Sequence, residues 1–525
     1  MRRLCACLLI ASGSLAAQVA WNDTVLALPG RVLSTEVCTL GDNARQELVI
    51  GLWNRELRRR ELRIHHVEQG RLSAEPRLVI PILEDIVAWG VAELDTDTAG
   101  PELLLLTPNS AWSYQVAPGS YANNARKLFD HPLLFDLPDR SSLPRWRHVV
   151  PMPGGDQLVL PSSSGYSCWA PVAGDPEGAW AETARFAVDA PSSRGEGGAG
   201  DASVQVGRDG IVLSASARAG LDVGQELDGW LSAPLLSVTR SFRAPGLVDM
   251  DGDGLLDIVR LARRVVSIHP GRSAGFLATP ERDVLLPDLL FDSEVESRDL
   301  LLRDVDGDGD TDILALLEGP EIGILDKNHE LSLVVLRNTG GGELSDRPQL
   351  LRFRGVRLRA SVVDVDADGT LDLVADVFIT PDLGALTSPD ELDATLRISV
   401  FRGRGKGEFE RSPFVRFEHV VGAANFDQAV QQRELSGDLS GDGLGDLVTS
   451  DILGRVGIHP LEKHSSLFGG ASWKLPTTPT TRLPTSTGRS DLQLSDLNGD
   501  GLHDLISTHE SRVIVYLSQL TGASR

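Results

Sequence analysis

The sequence predicts an all-β chain made of one repeated unit, of the kind that closes into a propeller or stacks into an array. Three observations predict it. A nine-residue acidic loop recurs five times, and each copy runs straight into a short apolar strand. Counted from the first Asp, the copies stand 55, 60, 74 and 58 residues apart, the spacing of one structural repeat.

The loops read Asp249-Met-Asp251-Gly-Asp253-Gly-Leu-Leu-Asp257, Asp304-Val-Asp306-Gly-Asp308-Gly-Asp-Thr-Asp312, Asp364-Val-Asp366-Ala-Asp368-Gly-Thr-Leu-Asp372, Asp438-Leu-Ser440-Gly-Asp442-Gly-Leu-Gly-Asp446 and Asp496-Leu-Asn498-Gly-Asp500-Gly-Leu-His-Asp504. Oxygen-bearing side chains at positions 1, 3, 5 and 9, with Gly at 6 for a sharp turn, suit a hard cation. Three carboxylates at alternate positions repel one another unless a cation or open solvent relieves them. Asp and Gly also favour ordinary turns, but five copies that share the ninth-position Asp and the following strand favour the cation. Calcium fits better than magnesium, which demands a tighter octahedron. The first three loops carry four ligand Asp each and are expected to bind best. Ser440 and Asn498 replace one carboxylate each, so those two sites are expected to be weaker. No Glu stands at position 12 and a strand follows, so the loop is not an EF-hand.

After each apolar strand comes a second alternating strand, at 265–268, 333–336, 398–401, 456–458 and 513–516. Gly-rich turns at 271–276, 340–344 and 403–409 then lead to a third strand. The N-terminal half keeps this frame and loses the ligands. Glu93-Leu-Asp95-Thr-Asp97 precedes Glu102 and an apolar strand, with one extra residue that shifts the last acid out of register. Gly41-Asp42 and Gly155-Asp156 precede strands with too few oxygens for a cation. This gives eight strand-starting loops, near residues 39, 93, 149, 249, 304, 364, 438 and 496. The longest gap, 149–249, holds a Gly/Ser-rich stretch at 192–200 that reads as a flexible insertion within one blade. Further insertions are 376–394 and the Thr/Pro-rich 476–487.

The five loops and the apolar pairs behind them resemble the FG-GAP, or VCBS-repeat, family, whose blades also build the head of integrin alpha chains. The full motif covers the second half of the chain, and the first half matches by frame alone. The resemblance implies a single β-propeller of seven or eight four-stranded blades with loop insertions, and the loop count favours eight. Degenerate blades would span about 25–240 and calcium-loop blades about 241–525. The resemblance also implies that each loop joins the first two strands of a blade and holds one structural Ca²⁺, about five ions in all. The backbone carbonyls of Leu255, Asp310, Thr370, Leu444 and Leu502 would be further ligands. Ring closure would come from the chain ends sharing a blade, residues 25–37 pairing with 513–517.

Residues 1–17 have the layout of a secretory leader: Met1-Arg-Arg, an apolar run from Leu8, then the small-residue stretch Ser14-Leu-Ala-Ala-Gln18. The run is too short to cross a bilayer, and no later segment is long and apolar enough. An exported protein is expected: extracellular, cell-surface or periplasmic, where weak calcium modules with dissociation constants of about 10⁻⁴–10⁻³ M can fill. The net charge of −24 argues against nucleic acid and anionic membranes as partners. Cys38 and Cys168 read as buried small hydrophobes rather than a disulfide.

Catalytic signatures are missing: no nucleophile elbow, zinc pair, P-loop or dinucleotide fingerprint. His65 and His66 are adjacent on a strand and face opposite sides. His269 and His459 stand at matching repeat positions, and His503 is expected to face solvent. Gly403–Gly407 is a hairpin, not a phosphate loop. Trp53, Trp89, Trp112, Trp146, Trp169, Trp180 and Trp230 suit packing better than sugar stacking. No catalytic residue is assigned. Two functions fit the chain. One is a calcium-stabilised binding or adhesion module, monomeric, with a protein or glycan partner. The other is a polysaccharide-active, lyase-like enzyme or lectin on the same scaffold.

Overall fold

Among the described residues, eight antiparallel blade sheets succeed one another along the chain. The computed structural model describes residues 18–521, apart from connecting stretches of six residues or fewer and longer ones at 188–201, 219–234, 286–296, 319–327, 381–392, 423–432 and 484–490. Helix among the described residues is confined to Tyr121–Asn124. Blades 1 to 7 span residues 30–82, 88–130, 149–187, 246–285, 297–355, 357–422 and 433–483, and blade 8 combines 491–521 with 18–27. All eight strand-starting loops fall where the sequence put them, each between the first and second strands of a blade.

The second strands read as unbroken apolar runs because both of their faces are buried. Successive side chains alternate across a strand, so Leu48 and Ile50 pack toward blade 8 while Val49 packs toward blade 2. Likewise Ile313, Ala315 and Leu317 face blade 4, and Leu314 and Leu316 face blade 6. Seven buried apolar clusters fill all eight interfaces between neighbouring blades, one cluster serving both sides of blade 3. A propeller of eight blades is the result, and its core is this ring of interfaces rather than a single centre.

The ring closes through Gln18–Ala27, which lies antiparallel on Arg512–Thr521 with Val25 opposite Ile514 and Leu26 opposite Val513. The sequence expectation of 25–37 as the closing segment is therefore corrected. Only its first three residues take part, and Gly30–Thr39 is the first strand of blade 1, paired with Gln46–Asn54. Leu28-Pro29 separates two strands of equal alternation, and proline, which donates no N–H, breaks the ladder between them.

The insertion in the long gap is also relocated. Ala202–Gly207, Gly210–Arg218 and Leu235–Phe242 form a three-stranded sheet of their own. Blade 3 has its four strands by Ala187 and blade 4 begins at Gly246, so the insertion lies between blades and not within one. The stretch 192–200 lies outside the described residues.

Trp89, Trp146, Trp169 and Trp180 are buried in the inter-blade clusters, Trp169 stacking on Phe129 at 4.1 Å. Trp230 lies outside the described residues. Cys38 and Cys168 are both buried and unbridged, and burial pushes the Cys38 thiol up to about 12. No helix among the described residues is long and apolar enough to cross a membrane.

Candidate metal centres

One hydrogen-bond scheme folds all five acidic loops. The Asp at position 1 accepts on both oxygens. In the first loop Gly252 N donates to Asp249 Oδ1 at 2.7 Å and Gly254 N to Oδ2 at 2.8 Å. Asp304, Asp438 and Asp496 repeat both contacts within 0.1 Å. The donors sit at φ of 75° and 83°, a left-handed backbone that glycine adopts at little cost. In the third loop Ala367 holds that conformation at φ 54°, and Asp368 N donates to Asp364 Oδ1 instead, at 3.2 Å. The Asp at position 5 accepts from the N–H at position 7, as from Leu255 to Asp253 at 2.8 Å.

The Asp at position 9 is wholly buried and ties three strands together. One oxygen of Asp257, Asp312, Asp372, Asp446 and Asp504 accepts the N–H of position 2, at 2.8–3.2 Å. The other oxygen of Asp257, Asp312, Asp372 and Asp504 accepts an N–H from beyond the third strand or near its end: Gly271, Asn338, Gly403 and Ser518. Burial raises these carboxyls, Asp257, Asp312, Asp372 and Asp504 to about 6 and Asp446 to about 7, against the pull of their backbone donors.

Three loops bring three carboxylates together, with ligand atoms within 4.8 Å: Asp249, Asp251 and Asp257; Asp304, Asp306 and Asp308; Asp364, Asp366 and Asp372. Asp253, Asp312 and Asp368 stand outside those groups and serve backbone N–H donors. In the fourth loop Ser440 Oγ donates to Asp446 at 3.4 Å, and in the fifth Asn498 Nδ2 donates to Ser518 O at 3.2 Å. Those two side chains are turned to local partners. Asp306 Oδ1 and Asp366 Oδ1 are buried with no hydrogen-bond partner. A buried carboxylate oxygen without a partner is costly, and an all-oxygen donor set of this kind is what a hard divalent cation takes. The residues present therefore fit such an ion.

A family model described as an FG-GAP-like repeat matches residues 304–375, from the acidic loop of blade 5 into the strand behind that of blade 6. The chain thus carries an FG-GAP-like repeat. No curated protein matches its sequence. Among solved structures, the chain is similar to BBS1N in complex with ARL6DN, soaked with lead, at 11% identity over 97% of this chain and 98% of that one, TM-score 0.35. It is similar to the Dos1 propeller at 9% identity over 95% of each chain, TM-score 0.38. The Photorhabdus luminescens Tc holotoxin pore matches at 15% identity over 96% of this chain and 28% of that one, TM-score 0.28.

Several residues of the repeat frame escaped the sequence reading. Position 2 is a buried apolar plug in every acidic loop: Met250, Val305, Val365, Leu439 and Leu497, with Leu40 and Leu94 in degenerate loops. The signal was present, since each of these positions is apolar. Glu102 was read as out of register, yet its Oε2 accepts from Leu94 N at 2.7 Å and Asp95 N at 3.3 Å, the ninth-position role. A side chain one carbon longer absorbs the extra residue. In blade 1, Glu47 stands opposite Cys38 as Asp257 stands opposite Val248, and Arg77 grips it at 2.7 and 2.8 Å. His503 is corrected as well. Its ring packs against Gly437, half-buried, because its own N–H donates to Asp438 O of the preceding loop at 3.3 Å. Gly445 N reaches Val365 O at 2.9 Å in the same way, so consecutive loops are linked.

Proposed function

We propose that this FG-GAP-repeat propeller is an exported interaction module whose acidic loops hold calcium as a structural ion. The observation that carries the calcium reading is the buried, unpartnered oxygen on Asp306 within a converging carboxylate group that no guanidinium enters among the described residues. When bound, the ion supplies charge neutralisation and a fixed point between strand starts. The chain does the rest. The position-1 Asp shapes the turn, the position-2 plug anchors it to the inter-blade core, and the position-9 Asp joins three strands behind it.

Export is supported by the layout of residues 1–17 and by the match between weak calcium modules and a calcium-rich exterior. The interaction role is supported by the FG-GAP-like repeat and the propeller scaffold. A protein or glycan partner on one face of the ring is the expected ligand. Calcium titration of the metal-stripped protein, by calorimetry with thermal melting, tests the reading. Several ions bound and a melting temperature that climbs with calcium support it. Neither heat nor stabilisation reduces the acidic repeats to turns and removes the metal from the function.

A further inference from the structure

The third acidic loop differs from the others in what faces its position-3 carboxylate. Asp366 is 8% exposed, and its Oδ2 accepts a hydrogen bond from Arg402 Nη2. The contact is end-on, leaving Asp366 Oδ1 and Arg402 Nε both buried without partners. Arg402 is held from two sides. Its neighbour Gly403 donates to Asp372 Oδ1 at 3.0 Å, and its guanidinium lies over the Phe414 ring at 4.6 Å.

The equivalent residues in the neighbouring blades act differently. Arg337 stands just before Asn338, the donor to Asp312, as Arg402 stands before Gly403. It reaches the other way, donating to Lys406 O at 3.4 Å, and among the described residues no guanidinium pairs with Asp306. Arg272 comes within 3.7 Å of Asp253 and 4.0 Å of Asp251 but gives a hydrogen bond to Glu281 at 3.1 Å.

We propose that Arg402 is the resident cation of the Asp364 loop, neutralising Asp366 where the sibling loops take a metal ion. The inference rests on the calcium reading of those siblings. Guanidinium stays protonated at any ordinary pH, so the charge is permanent. A divalent ion placed a few ångströms from it is repelled, which weakens binding roughly tenfold or more. The order expected from counting Asp residues is thereby changed: the Asp364 loop, with four, ranks below the Asp249 and Asp304 loops.

Bound calcium, counted by native mass spectrometry on the full chain, tests this with Asp306→Asn, Asp366→Asn, Arg402→Met and the double variant Arg402→Met/Asp366→Asn. Asp306→Asn is expected to lose one ion and Asp366→Asn none. Arg402→Met is expected to gain one ion, or to tighten the weakest site roughly tenfold, and adding Asp366→Asn should cancel the gain. In calcium-free buffer Arg402→Met should melt earlier and be rescued by calcium, since Asp366 is then buried without a counter-charge. Loss of one ion on Asp366→Asn with Arg402 in place, or weaker binding in Arg402→Met, overturns the assignment alone. Calcium absent from every variant overturns the calcium reading and this inference with it.

Discussion

Lowering the pH from 7.5 to 5 is expected to weaken calcium binding by a larger factor in the Asp438 loop than in its siblings. The cause is the buried ninth-position carboxylate. Asp257, Asp312 and Asp504 are raised by burial to about 6 and Asp446 to about 7. A carboxyl of pKa about 6 is roughly nine-tenths protonated at pH 5, and an arriving ion must displace that proton, so affinity falls about tenfold between pH 7.5 and 5. The same arithmetic gives about a hundredfold for Asp446. The sign for stability without the ion is the reverse. Folded values above the unfolded one mean that, without cation, this contribution is full below about pH 4 and is lost as pH rises through 6 to 7. Buried His148, held down to about 4, acts in the opposite direction, so the calcium increment is the clean observable rather than stability itself. Calorimetry at both pH values, in buffers of different ionisation enthalpy, reads affinity and proton release together. Asp446→Asn should remove the steepest component. Equal affinity at the two pH values with no proton released would refute the argument that these carboxylates gate the sites.

Three further outcomes are expected. Ala367→Gly removes a left-handed alanine and should stabilise by about 0.5–1 kcal/mol after the added freedom of the unfolded chain is subtracted, read by denaturant melts. Glu102→Ala strands the Leu94 and Asp95 N–H groups and should cost about 1–3 kcal/mol; the loss should be equal with and without calcium, and a calcium-dependent loss would place an ion in blade 2. Deleting residues 18–27 uncovers the whole edge of Arg512–Thr521; the product should associate on size-exclusion chromatography, and a monomer with native melting would contradict closure by that strand.

Much of the frame was legible because the repeat writes its own punctuation. Each loop start is set by an acid, an apolar plug and an apolar strand, and those features are local in sequence. What failed was non-local. Whether 18–27 or 30–39 closes the ring depends on a partner at 512–521, and both candidates alternate equally well. The insertion was misplaced because a missing strand and a displaced one look alike until blade 3 is seen complete at Ala187. Within the site, the spacing anticipated the convergence of carboxylates in three of the five loops, but not the division of labour among them. The ninth-position Asp serves backbone donors up to 31 residues further along, as Gly403 does for Asp372, and Arg402 reaches Asp366 across 36 residues. Glu102 was misjudged for a simpler reason: counting residues ignores how far a side chain reaches.

The seam between Gln18–Ala27 and Arg512–Thr521 carries a consequence for the order of assembly. Seven blades are built from strands that neighbour one another in the chain and can form as soon as they are made. The eighth pairs a strand that precedes the other seven blades with three that follow them, Thr521 finding Gln18 across all seven. Closing so long a loop costs entropy that no earlier contact repays. Until the last strand arrives, the first must wait unpaired and the flank of blade 1 stays open, Leu48 and Ile50 included. The protein therefore spends its nascent life as an open arc, and its vulnerability to misassociation ends in a single late event.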